Sequence, residues 1–222
     1  MSHDIDHEIG TLWAPDLDRT LFQTDKAFEL LVEQCDQSGL VDADHMRMFK
    51  TTLENADISF DTEYYLVSLG LSDTDIDGIY NEYGSQVDPS VLYEDSLPFL
   101  QRLESKKLRS VIYTRGSTKA QLAKLKKSGL DSLDYLITDR VDKTNELEDT
   151  YRDASGMYRI GMIVANEVIV IDDNWQAFKN FRPGNRGVLL RRPGAKINPP
   201  KGWEKPEGVD VHEGLMEIDL DK

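Results

Sequence analysis

The sequence contains a single cysteine, Cys35, so it can form neither an intramolecular disulfide nor a multi-cysteine zinc site. Histidine is scarce too: His3, His7, His45 and His212 are too scattered to suggest a zinc cluster. No apolar run approaches the roughly 20 residues of a membrane span. The opening MSHDIDHEIG lacks the basic and apolar regions of a signal peptide. Cations are in deficit, with 26 Lys and Arg against 41 Asp and Glu, for a net charge of −15. Non-specific nucleic-acid binding relies on clustered cations to neutralise phosphates, so no nucleic-acid partner is expected. What these absences leave is the expectation of a soluble, acidic, cytoplasmic protein with no membrane partner.

What is present suits a folded domain. The 222 residues are 39% hydrophobic and 30% charged, enough to bury a core without cross-links. Between Thr24 and Leu92 the apolar spacing is helical, as with Phe28, Leu31 and Val32. The same stretch holds fifteen acids against three bases, a local charge of about −12 and most of the total. Such a shift in composition predicts a separate helical subdomain. On either side, strands alternate with helices. TLWAP (Thr11–Pro15), RSVIY (Arg109–Tyr113), YLIT (Tyr135–Thr138), EVIVI (Glu167–Ile171) and Gly187–Leu190 read as strands. Asp95–Lys106, Ser117–Lys127 and Lys143–Ala154 read as helices, and the Pro/Gly-rich stretch Arg192–Gly208 as irregular. The pattern predicts an α/β fold: a Rossmann-like parallel sheet with helices on both faces, plus a small α-helical subdomain.

Open α/β sheets bind ligands at the carboxyl ends of their strands. The residues this sequence puts there form a short inventory of chemistry. Asp16 and Asp18 follow the first strand, with Thr20 just beyond. Thr114, Arg115 and Gly116 follow the second, Lys143 follows the third across a short loop, and Asp172 and Asp173 follow the fourth. Carboxylates crowded together repel one another unless a cation sits among them, and Mg²⁺ prefers such hard oxygen ligands. A lysine and a hydroxyl opposite the ion could hold phosphoryl oxygens, and a free carboxylate could attack phosphorus.

The segment DLDRTLF resembles the Asp-x-Asp-x-Thr nucleophile motif of the haloacid dehalogenase superfamily. The remaining motifs follow in that superfamily's order: VIYTRGS ending on Thr114, ITDRVDKT carrying Lys143, and VIVIDDN ending on Asp172 and Asp173. The resemblance spans about Thr11 to Leu190. It implies a Mg²⁺-dependent phosphatase acting on a small phosphorylated metabolite through an aspartyl-phosphate. Asp16 would be nucleophile and metal ligand. Asp18 would be general acid and base, its backbone carbonyl on the metal. Thr114 would bond the phosphoryl group, Lys143 would neutralise charge, and Asp173, with Asp172 direct or through water, would hold the ion. Arg115 and Gly116 would contact substrate, while Thr20 would brace the loop. The core would comprise residues 1–23 and 93–222, and residues 24–92 would form an inserted helical cap. A phosphomutase of the same superfamily, or a non-catalytic phosphoryl-binding or interaction protein on this scaffold, stays open as an alternative, as does the oligomeric state. The sequence departs from the family pattern at Pro15, directly before the nucleophile, and at Arg19, where glycine is commonest. Lys143 also lacks the proline that often follows the motif lysine, which leaves Lys119 as a second choice.

Overall fold

The structure is a computed structural model that describes residues 8–56, 58, 60–182, 185–192 and 199–221. Residues 193–198 of the Pro/Gly-rich stretch lie outside the described residues, as do His3 and His7. The strands are β1 (Glu8–Pro15), β2 (Arg109–Arg115), β3 (Asp134–Thr138), β4 (Tyr158–Ile160), β5 (Ile163–Asp172), β6 (Gly187–Leu190) and β7 (Val209–His212). The helices are α1 (Thr24–Gln37), α2 (Ala43–Asn55), α3 (Thr62–Ser68), α4 (Asp73–Gln86), α5 (Ser96–Ser105), α6 (Thr118–Leu125) and α7 (Lys143–Glu146). The chain divides into two compact units. One takes Met1–Leu21, Tyr93–Arg115 and Leu133–Lys222; the other takes Phe22–Leu92 and Gly116–Ser132.

The first unit is built on one sheet in the order β3-β2-β1-β5-β6-β7, all parallel, with β4 added antiparallel to β5. Its central strands β1, β2, β5 and β6 are largely buried and apolar, as strands covered on both faces require, while the edge strands β3 and β7 are partly exposed. Leu12 and Ala14 of β1 join Val111, Tyr113, Val168, Val170 and Leu189 in one buried cluster with Leu147, Ala177 and Phe178. Trp13 alternates to the other face and meets Phe99 of α5 edge-on, with ring centroids 6.4 Å apart. From β1 the chain builds outward through β2 and β3, then returns to build β5, β6 and β7 on the other side. The switch point therefore falls between β1 and β5, and open α/β sheets bind ligands at the carboxyl strand ends of such a point.

Pro15 is accommodated by a local asymmetry. The Asp16 amide donates to the Ile171 carbonyl at 2.8 Å, on the β5 side. Amides alternate sides along a strand, so the Pro15 nitrogen faces β2, and the β1–β2 pairing runs only over Leu12 and Trp13. The missing donor thus falls beyond the end of that ladder.

Elsewhere the structure departs from the sequence-based expectation. β5 is twice the length of the expected Glu167–Ile171, because its first half pairs with β4 through a two-residue turn at Gly161, whose φ is +60°. The helix expected over Lys143–Ala154 is α-helical only to Glu146, then widens into a π-helical turn over Leu147–Tyr151. In that turn Glu148 is buried and accepts hydrogen bonds from Tyr158, Arg152, Arg182 and Asn185. Such local widening is a recognised way to re-aim a side chain within a helix.

The second unit is helical. Asp42, Asp61, Ser72 and Ser117 cap α2, α3, α4 and α6 through their side chains, each accepting from a backbone amide three residues on. Phe28, Phe49, Phe60, Tyr65 and His45 form an aromatic cluster. Gly84 lets α4 approach α6, since a Cβ there would lie 3.2 Å from the Ala123 carbonyl. Cys35 is fully buried, and burial pushes its thiol up to about 12, which suits a packing residue rather than a nucleophile.

Candidate active site

Asp16 leaves the end of β1, Asp172 ends β5 with Asp173 next, and Lys143 opens α7. All four are buried. The Lys143 ammonium lies among three acceptors: Asp16 Oδ1 at 2.5 Å, Asp172 Oδ2 at 2.7 Å and the Tyr113 carbonyl at 2.8 Å. An ammonium has three donors, so it is fully used. The other oxygen of Asp172 accepts the Asn174 amide at 2.8 Å.

Asp173 differs. Among the described residues its buried Oδ2 has no hydrogen-bond partner, and the Thr114 hydroxyl at the end of β2 likewise has none. Oxygens of Asp16, Asp172 and Asp173 lie within 4.8 Å of one another. Three buried carboxylates thus share one ammonium, an arrangement that is costly unless protons or a further cation compensate. The ionisation behaviour says the same. Burial pushes the Asp16 carboxyl up to about 7 against the pull of Lys143, with Asp172 and Asp18 adding to the rise. Burial also holds Asp173 well above the ordinary carboxylate range, reinforced by Asp172 and Asp16 and opposed by Arg19 and Lys143. Burial works against the charge on Lys143, but Asp16 and Asp172 outweigh it and raise its affinity for its proton. An all-oxygen donor set with an unpartnered carboxylate oxygen fits Mg²⁺.

Asp18 is half-buried, and its charge is felt at Asp16. Arg19, where glycine is commonest in the family resembled, has a left-handed backbone with φ +59°. That conformation explains the glycine preference, since other residues adopt it at a cost of about 1 kcal/mol. Thr20 is buried with its hydroxyl unpartnered. Arg115 is exposed, and its Nε donates to the Asp139 carbonyl at 3.1 Å. Gly116 belongs to the second unit; its φ is +144°, and a Cβ there would meet the Gln121 amide nitrogen at 2.5 Å. Lys119, the second choice for the motif lysine, pairs with Asp77 at 2.8 Å within the helical unit.

One supporting residue escaped the sequence reading. Glu146 Oε2 accepts from the Tyr113 hydroxyl at 2.5 Å and from Thr138 Oγ1 at 2.7 Å, tying the turn that carries Lys143 to β2 and β3. Its only signal was its place, one turn after the lysine. Glu146→Ala leaves the buried Tyr113 hydroxyl only the longer bond to the Lys143 carbonyl, at 3.3 Å, and takes the acceptor of Thr138 Oγ1, an expected cost of about 1–3 kcal/mol. Thermal unfolding should show a loss of about 2–10 °C for a chain of this size. An unchanged melting temperature would refute the tie.

No protein-family model matches the sequence, and no curated protein matches it. Solved structures do. A haloacid dehalogenase-like hydrolase from Burkholderia xenovorans superposes with a TM-score of 0.64 at 19% identity, covering 95% of this chain and 99% of that one. The fold is that of the haloacid dehalogenase-like hydrolases. A haloacid dehalogenase-type phosphatase from Thermococcus onnurineus matches at 0.56 and 19% identity, over 94% of each chain. The L-2-haloacid dehalogenase of Xanthobacter autotrophicus matches at 0.51 and 15% identity, over 93% of this chain and 96% of that one. At these identities the likeness concerns the haloacid dehalogenase-like fold alone, and two different chemistries share it.

Proposed function

We propose that this chain is a hydrolase of the haloacid dehalogenase superfamily, a Mg²⁺-dependent phosphatase that cleaves a small phosphomonoester through an aspartyl-phosphate on Asp16. The observation that carries this reading is the unpartnered Asp173 oxygen beside Asp16 and Asp172, three carboxylates against one ammonium. A carbon-attacking dehalogenase has no use for a cation there, and such a cluster would serve it poorly.

Asp16, Asp172 and Asp173 would hold the ion, with the Asp18 carbonyl as a further ligand. A bound Mg²⁺ supplies charge neutralisation for the phosphoryl oxygens. Lys143 favours the ionised form of Asp16 against burial, orients it and offsets the charge arriving with substrate. Thr114 donates its free hydroxyl to a phosphoryl oxygen. An Asp16 oxygen attacks phosphorus, the bond to the leaving oxygen breaks, and Asp18 protonates that oxygen. Asp18 then takes a proton from water, which attacks phosphorus and releases Asp16. Arg115 and Gly116 are the substrate-contact candidates, and the helical unit is the candidate for the specificity-bearing cap.

Phosphate release from a panel of small phosphomonoesters, with Mg²⁺ or with chelator, tests the reading. Mg²⁺-dependent release is expected. Transfer to a second sugar hydroxyl would indicate a mutase, and halide release from a 2-haloacid would overturn the assignment. Asp172→Asn combined with Asp173→Asn should abolish Mg²⁺ binding by calorimetry.

A stability measurement tests the metal site without substrate. The folded Asp16 carboxyl sits near 7, above its ordinary value of 3.8. A carboxyl raised on folding binds more protons in the native state than in the unfolded one, so stability falls as pH rises between those values. Metal-free protein should lose stability from about pH 4 to about pH 7, and Mg²⁺ should restore more of it at pH 8 than at pH 5. An equal Mg²⁺ shift in melting temperature at both pH values would count against the site.

A further inference from the structure

Arg192 opens the Pro/Gly-rich stretch after β6, and its side chain is 10% exposed. Its Nε and Nη2 both donate to the Thr20 carbonyl, at 3.2 and 2.7 Å. Its Nη1 and Nη2 also bridge the two oxygens of Asp95, at 3.1 and 2.7 Å. The guanidinium carbon lies 3.8 Å from the centroid of the Tyr93 ring. Asp95 in turn accepts the Leu215 amide at 2.8 Å. One planar group thus joins the turn after Asp16 to the segment where the chain re-enters the first unit. The adjacent carbonyl, Leu21, is held by the same segment, accepting from the Tyr93 amide at 3.0 Å and Ser96 Oγ at 2.8 Å.

The turn needs holding. Arg19 sits at φ +59°, directly before Thr20 and directly after Asp18. Left-handed backbone at a non-glycine residue is strained and persists only where the surroundings over-determine it. Inside the turn, the Leu21 amide bonds back to the Leu17 carbonyl at 3.0 Å. Outside it, the Arg192 fork fixes the carbonyl one residue past the strained position. We infer that Arg192 is a positioning residue: through the Thr20 carbonyl it holds the turn bearing Asp16 and Asp18 in its site-forming conformation. The kinetic consequence rests on the phosphatase reading; the conformational one does not. Lysine cannot substitute, because an ammonium has neither the planar fork nor the stacking face.

The test compares wild type with Arg192→Lys and Asp95→Asn, both of which leave a polar side chain in place. Hydrogen exchange read by mass spectrometry should rise about tenfold in amides of residues 17–22 of the Lys variant, with β2 and β3 unchanged. In phosphate release, kcat should fall about tenfold or more with KM within about twofold, since a small misplacement of reacting groups acts on the chemical step. The two substitutions together should cost less than the sum of their separate effects, because they break one contact. Unchanged exchange in residues 17–22 overturns the inference. Raised exchange with unchanged kcat also overturns it, reducing Arg192 to a structural brace. A wild type that releases no phosphate sinks the phosphatase reading instead, and exchange alone then decides the role of Arg192.

Discussion

Asp16→Asn is expected to reduce phosphate release by about 10⁴-fold or more, the scale on which loss of a nucleophile acts in covalent catalysts. The amide matches the carboxylate in shape but is a poor nucleophile and a weaker metal ligand. The fold should survive for a reason specific to this site. Burial has already pushed the Asp16 carboxyl up to about 7, so the native state tolerates a neutral side chain at that position near neutrality. The substitution exchanges a charged acceptor of Lys143 for a neutral amide oxygen, but it also takes one of three mutually repelling carboxylates out of the cluster. Metal-free Asp16→Asn should therefore melt close to the metal-free wild type, and Mg²⁺ should stabilise it less. Turnover above about 1% of wild type, in protein free of contaminating phosphatase, would remove Asp16 from the chemistry; on the free-energy scale that is less than 3 kcal/mol.

Lys143→Met should have the largest effect on stability. Methionine roughly fills the space of the lysine stem, so packing loss is small, but Asp16 and Asp172 then face each other with their shared ammonium gone. Breaking a buried pair by removing one partner costs about 3–5 kcal/mol. For a chain of this length that corresponds to a fall in melting temperature of about 10 °C. Two controls separate charge from packing. The penalty should shrink at pH 5, where the raised carboxyl of Asp16 can take up a proton, and it should shrink again with saturating Mg²⁺. Activity should return under neither condition. Lys143→Arg should not rescue it, because a planar fork cannot replace a compact ammonium among three converging acceptors. A melting temperature unchanged at pH 8 without Mg²⁺ would show that the lysine is not the charge that holds this cluster together.

The parts of the fold legible in the sequence are those that local pattern dictates. The apolar runs TLWAP and VIVI mark two neighbouring strands, and the first charged residues after them, Asp16 and Asp172, mark their ends. Lys143 could be placed at the rim because a strand and a short loop precede it, and the structure sets it between Asp16 and Asp172. What stayed hidden depends on partners far along the chain. Strand β4 is three residues long and gains its identity from pairing with β5; the hint was Gly161 between Ile160 and Ile163. The four-residue β7 takes its place from β6. The widened turn after Glu146 follows a helical pattern in sequence, and burial of Glu148 against Tyr158 and Asn185 is a tertiary fact. Arg192 sits in a segment whose composition signals only irregularity, yet its acceptors lie at Thr20 and Asp95.

The place of β1 in the sheet has a consequence for biosynthesis. Its partner β5 begins at Ile163, so β1, which ends at Pro15, must wait for about 150 further residues before its main pairing can form. At translation rates of roughly 5–20 residues per second, that wait is about 8–30 s. Helices α1 to α4 of the helical unit are not so delayed, since they lie between Thr24 and Gln86 and have near neighbours in sequence. During the interval the apolar segment Leu12–Ala14 has no β5 to cover it, a period in which chaperone binding and aggregation compete. Ribosome-bound chains that stop short of Glu167 should hold no Mg²⁺ site, since Asp172 and Asp173 are not yet made. Metal affinity would thus report that the nascent chain has grown past Asp173.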